Sequence, residues 1–164
     1  MTATVSPWPQ VPQMRWATPS LDPTSIVTSF SGSRSTAKGG GSEAKAKFVM
    51  LNPSDSIVDW VLEMIPQMGA GWCPPGQIGI GIGGTAEKAV LLAKESLMDE
   101  IDMHELKKRG AQTDTEAMRI EIYDKVNALG IGAQGLGGVT TVLDVKLKLY
   151  PTHAASKPVA MIPN

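Results

Sequence analysis

The chain has a single cysteine, Cys73, set in "GWCPPGQIGIGIGGT" (residues 71–85), where two prolines follow it and isoleucine then alternates with glycine. One thiol cannot form an intramolecular disulfide, which points to a reducing compartment. A lone cysteine is ordinarily an inert buried thiol. Of the two histidines, His104 sits in a polar stretch and reads as solvent-facing, while His153 lies in "PTHAAS". A lone histidine is more often a structural hydrogen-bonder than a reactive group. The remaining chemistry is carried by glycine. Gly79, Gly81 and Gly84, and again Gly130, Gly132 and Gly135, satisfy G-x-G-x-x-G.

That spacing can cradle a pyrophosphate at a helix N-terminus. Its context disfavours a nucleotide. The first set of glycines falls inside an expected strand, and the segment after Gly138 reads as a strand, not a helix. With "AKGGGSEAK" (37–45) the chain has three glycine-rich segments. Together they suggest backbone amides gathered around an anion or an inorganic centre.

The elements that must position these residues are legible from Lys38 onward. "LNPSDSIVDWVLEMIPQMG" (51–69) predicts a helix capped by Asn52, with Pro53 in its first turn and Asp55 and Asp59 at the positive end of the dipole. Ile57, Val58, Val61, Leu62 and Ile65 form its apolar stripe, and Pro66 should stop it. "QIGIGIGG" (77–84) predicts a short strand with Ile78, Ile80 and Ile82 on one face. Gly79, Gly81 and Gly83 leave the other face bare, so something can approach its backbone closely.

Thr85 should cap a helix over 86–98 that packs through Ala89, Leu92, Ala93 and Leu97. Next comes a polar connection with a short helical turn near His104. Another helix, over 115–129, turns Met118, Ile122, Val126 and Leu129 to one side and ends at Gly130. "VTTVLDVKLKLY" (139–150) predicts a half-buried strand, Leu143, Val145, Leu147 and Leu149 facing one way and Asp144, Lys146 and Lys148 the other. Helices alternating with strands make an α/β domain, with a mixed sheet and flanking helices.

A length of 164 residues suits one domain, 42% hydrophobic content suits a core, and a net charge of -1 argues against a nucleic-acid partner. No apolar run approaches a membrane span. Residues 1–36, rich in Ser, Thr and Pro with one acid, read as a disordered or unrelated leader.

"AKGGGSEAKAK", "GAGWCPPGQIGIGIGGTAEKA", "NALGIGAQGLGGVTTVLDVK" and "YPTHAASKPVAMIPN" occur in that order. They closely resemble the class I, iron–sulfur fumarate hydratases, a family shared with the alpha subunit of L-tartrate dehydratase. The resemblance covers residues 37–164. It implies part of the cluster-bearing catalytic domain and a [4Fe-4S] cluster held by three cysteines, one iron being left for substrate. Cys73 matches the middle ligand, so under the resemblance the ligand reading overtakes the inert one. His153 matches a histidine that contacts substrate. Lys38, Gly39, Gly40, Gly41 and Ser42 match a substrate-binding loop, and Gln134 and Thr85 would line the cluster pocket. Lys157 reads as a solvated lysine.

The implied reaction is the reversible hydration of fumarate to L-malate, a tricarboxylic acid cycle step, with L-tartrate dehydration as the alternative. A cytoplasmic homodimer acting on a small dicarboxylate is implied as well. The chain departs from the family's pattern in lacking the upstream C-Q-D-T-G cysteine and the cysteine after "AMIPN". One of three cluster ligands is therefore present. The expectation is an incomplete fragment, inactive alone, with a truncated or frame-shifted reading frame behind the junction near Lys38. The competing expectation is a non-catalytic fragment without a cluster.

Overall fold

The computed structural model describes residues 37–100 and 102–164, and the expected leader over 1–36 lies outside the described residues. The elements in chain order are α1 (Gly40–Glu43), β1 (Lys47–Leu51), α2 (Ile57–Gln67), β2 (Gly76–Ile82), α3 (Ala86–Ser96), α4 (Met103–Arg109), α5 (Asp114–Ala128), β3 (Val142–Leu149) and β4 (Lys157–Pro163). Among the described residues the strands form one mixed sheet in the order β1-β4-β2-β3. β2 and β3 are parallel, and β4 runs antiparallel to both β2 and β1. The α/β class with flanking helices is what the alternation of elements predicts.

The isoleucine face of β2 behaves as expected. Ile78, Ile80 and Ile82 are buried with Val145 and Leu147 of β3 and Val159 and Met161 of β4, beneath Val61 and Ile65 of α2, Leu106 of α4 and Ile122 and Val126 of α5. Fully burying each such side chain is worth about 1.5–3 kcal/mol. The glycine face is filled by the protein itself. A Cβ on Gly79 would run into the main-chain oxygen of Ala93, and one on Gly81 into that of Ala89, so α3 lies directly on the backbone of β2. Ala89, Ala93 and Leu97 complete this second core with Ala160 and Ile162. The close approach predicted for this face is thus a helix, and the β2 glycines are removed from the set that could surround a ligand.

Two strands have no counterpart in the sequence reading. β1 occupies residues almost all of which the sequence reading assigns to no element, and β4, buried except at Lys157, lies between β1 and β2. Prolines at both ends of β4 mask its strand character. The first helix is capped by Ser56, whose Oγ accepts from Asp59 N at 3.2 Å. Asn52 instead belongs to a turn in which its own amide donates to Asp55 Oδ2 at 2.8 Å. Trp60 joins the buried stripe, and the helix runs one residue past Pro66. His104 is exposed, on a seven-residue helix that buries Met103 and Leu106.

β3 overturns its expected alternation. Leu143 and Leu149 are about half exposed, whereas Asp144 and Lys146 are 4% and 3% exposed. Leu143 is passed over where Gly76 pairs with Val142 and Gln77 with Asp144. Asp144 Oδ1 faces the buried Arg119 of α5 at 3.4 Å and its Oδ2 faces Lys146 Nζ at 3.0 Å. Arg119 Nε also donates to Val145 O at 2.6 Å. Mutual pairing is what lets three charged groups stay out of water. On α5, Ile122 and Val126 are buried as expected, while Leu129 is exposed.

Candidate functional site

Cys73 stands where a short 3-10 turn, Gly69–Trp72, ends, and its side chain is exposed. Its amide donates to Ala70 O at 2.9 Å, and its backbone is left-handed at φ 61°. Among the described residues the only other non-glycine residue of positive φ is Gln134, at 54°. These two meet. Gln134 N donates to Pro74 O at 2.7 Å, and its side-chain amide lies 3.5 Å from the same oxygen. A left-handed backbone costs a non-glycine residue on the order of 1–3 kcal/mol and persists where surrounding contacts dictate it.

The glycine segment at the chain's other flank joins them. "GGSE" forms the single turn α1, and a Cβ on Gly41 would stand 2.6 Å from Gly71 O, so this turn backs onto the one leading to Cys73. Gly39, Gly40 and Gly41 are exposed. Lys38 donates to Pro163 O at 2.6 Å and to Ser42 Oγ at 3.2 Å, and pairs with Glu43 at 3.3 Å. Burial pushes its ammonium below the usual lysine range, against the raising pull of Glu43. Ser42 Oγ in turn donates to Gly39 O at 2.9 Å. The side chains of Lys38 and Ser42 therefore tie the turn to the end of β4. What this end of the sheet offers a ligand is the exposed Cys73 and the exposed glycine backbone that opens α1, main-chain N–H groups being donors suited to anions.

His153 is elsewhere. Its loop comes after β3 at the far end of β2, where Tyr150 N donates to Ile82 O at 2.8 Å and Gly84 N to Pro151 O at 3.1 Å. The seven residues of β2 separate that end from Cys73 by about 20 Å at ~3.3 Å per residue. His153 borders an open cleft of about 820 Å³ together with Met50, Thr85, Lys88, Tyr150 and Ser156. Its Nδ1 accepts from Ala155 N at 3.1 Å. Thr85 heads α3 in this cleft and does not line the Cys73 end. Lys157, read as solvated, donates to Asp55 O at 2.7 Å and anchors the start of β4.

The structure thus brings Cys73, Gln134, Lys38, Gly39, Gly40, Gly41 and Ser42 to one end and leaves His153 at the other. Sequence reasoning passed over Asn127 and Thr141, which hold the Gln134 loop. The signal available was an amide side chain in the last turn of a helix that leads into glycines. Among the described residues no three His, Cys, Asp or Glu side chains gather as a metal site. None of their helices is long and apolar enough to cross a membrane.

The family profile described as fumarate hydratase (Fumerase) matches residues 23–164. A putative L(+)-tartrate dehydratase subunit alpha of Methanocaldococcus jannaschii is 44% identical over 127 residues, 76% of this chain and 43% of that protein. The L(+)-tartrate dehydratase subunit alpha of Escherichia coli K12 is 29% identical over 126 residues, 75% of this chain and 40% of its own length. The chain spans less than half the length of these curated relatives. Matched by the profile over all but its first 22 residues, the chain belongs to the fumarate hydratase (Fumerase) family.

Proposed function

We propose that this chain is one portion of a hydro-lyase that adds water to, or removes it from, a four-carbon dicarboxylate, with Cys73 as one sulfur anchor of a [4Fe-4S] cluster. The observation that carries the reading is Cys73 itself. It is exposed, left-handed and backed by two glycine-rich turns, in a chain of the fumarate hydratase family. An inert structural thiol is ordinarily buried.

Cluster ligation takes several thiolates, and this chain has one cysteine. Its donors fit one corner of a cluster and not a whole one, so further polypeptide has to bring the remaining sulfurs. The chemistry such a group supplies when bound is Lewis acidity toward a poor leaving group, hydroxide. The chain's own contribution is binding and orientation. The amides of the Gly39–Ser42 turn would hold a substrate carboxylate, and the tie from Lys38 to Pro163 O would keep this turn in place.

Fumarate and L-malate are the primary substrate pair under this reading. L-tartrate is the second, favoured by the names of the two relatives. Both relatives are named as alpha subunits, which supports an enzyme of more than one kind of chain. The test is a hybrid in which residues 37–164 replace the matching segment of the Methanocaldococcus jannaschii relative, combined with the other subunit of that enzyme and reconstituted anaerobically with iron and sulfide. The hybrid should gain visible cluster absorption and dehydrate L-malate or L-tartrate, and Cys73→Ser should abolish both. A Cys73→Ser hybrid that keeps its chromophore sinks the reading.

A further inference from the structure

We infer that Asn127, with Thr141, is a positioning residue that closes the neck of the 130–141 loop and so fixes the Gln134 amide on the turn of Cys73. Asn127 lies in the last turn of α5, where a side chain pointing to solvent would be unremarked. Here its Oδ1 accepts from both Thr141 N, at 2.7 Å, and Val142 N, at 2.9 Å, while its Nδ2 donates to Val142 O at 3.2 Å. One amide side chain thereby joins the end of a helix to the first residues of β3, across the base of the loop between them. Thr141, fully buried, carries the closure inward by accepting Gly132 N on its Oγ1 at 3.1 Å.

Within that neck the loop is cross-braced by Gly137 N donating to Ile131 O at 2.8 Å and Gly138 N donating to Gly130 O at 3.2 Å. The glycines are required there, since Gly130, Gly132, Gly135, Gly137 and Gly138 all have positive φ. Such a stretch has little side-chain packing of its own. Gln134 is exposed, and Leu136 and Val139 are each 88% exposed. Its shape therefore depends on hydrogen bonds at its base and on contacts at its tip, where Gln134 meets Pro74 and Gly135 lies close to Ala70. Loosening the base frees the tip, because a glycine-rich segment regains more backbone entropy than any other.

This inference rests on the reading of Cys73 as a ligand only for its functional meaning, and its test uses neither iron nor activity. Amide hydrogen exchange is followed residue by residue in the metal-free chain. In Asn127→Leu, which keeps the size and loses all three hydrogen bonds, exchange at Gln134, Gly132 and Cys73 should quicken by about tenfold or more, while Ile122 and Ile80 stay within about threefold. Thr141→Val should give the same pattern at Gln134 and serves if Asn127→Leu fails to fold. Asn127→Asp keeps the acceptor for both N–H groups but replaces the Nδ2 donor to Val142 O with an acceptor, so exchange at the three sites should fall between the parent and Asn127→Leu. Uniform loss of protection across α5 and β2 in the folded variants, unchanged exchange at Gln134, or no rescue by aspartate would each overturn the assignment.

Discussion

Cys73 and His153 stand at opposite ends of β2, about 20 Å apart along the strand. The thiol has the Gln134 loop and the α1 turn for neighbours, and the imidazole has Lys88, Tyr150 and Thr85. Within this chain the two act on separate surroundings. His153→Ala should leave the rate of Cys73 alkylation, and its dependence on pH, within about twofold of the parent, since at that range solvent screens the charge of an exposed imidazole. A change beyond fivefold would mean that the two ends communicate.

The isolated chain should not assemble a stable [4Fe-4S] cluster. One thiolate is present where several are needed. Anaerobic incubation with iron and sulfide, then desalting, should leave no visible absorption and no hydration of fumarate. Either signal from residues 1–164 alone would contradict this.

Gly81→Val should destabilise the domain by about 3 kcal/mol, the upper range for overpacking, because its Cβ would collide with the main-chain oxygen of Ala89 and the main-chain nitrogen of Ala93. Urea denaturation measures it, and a loss below about 1 kcal/mol would show that α3 can lift off the sheet.

Asp144→Ala should cost about 3–5 kcal/mol, because it removes the buried carboxylate that pairs with the buried cations Arg119 and Lys146. Leu143→Ser, one residue away and half exposed, should stay within about 0.5 kcal/mol. The order of the two midpoints in denaturant checks the burial of the charged face of β3, and the reverse order would refute it.

Glu116 should make stability fall with acid. Its side chain receives Arg109 Nη2 at 2.7 Å and Gln112 N at 2.8 Å, the guanidinium being the larger of the influences that hold its carboxyl below the ordinary value of about 4.3. A carboxyl lowered in the folded state contributes stability that is present above the unfolded value and is lost as pH falls through the folded one. Glu116→Gln should therefore flatten the stability profile below about pH 4.3 and weaken the domain above it. Parallel profiles for parent and variant would show that the pair contributes nothing.

The sequence by itself determined the local elements and the order of the site segments. Glycine–isoleucine alternation specified β2, apolar periodicity specified α2, α3 and α5, and glycines marked both turns that meet near Cys73. These are short-range signals, read within a few residues of where they act. Only the tertiary structure decided which partner filled each face. Nothing local distinguishes a strand bared for a ligand from one bared for α3, or an outward Asp144 from one buried against Arg119 twenty-five positions away. β4 was hidden for the same reason, since its strand is established by neighbours on both sides. The separation of His153 from Cys73 likewise arises from β2 running between them, a distance that motif order along the chain does not encode.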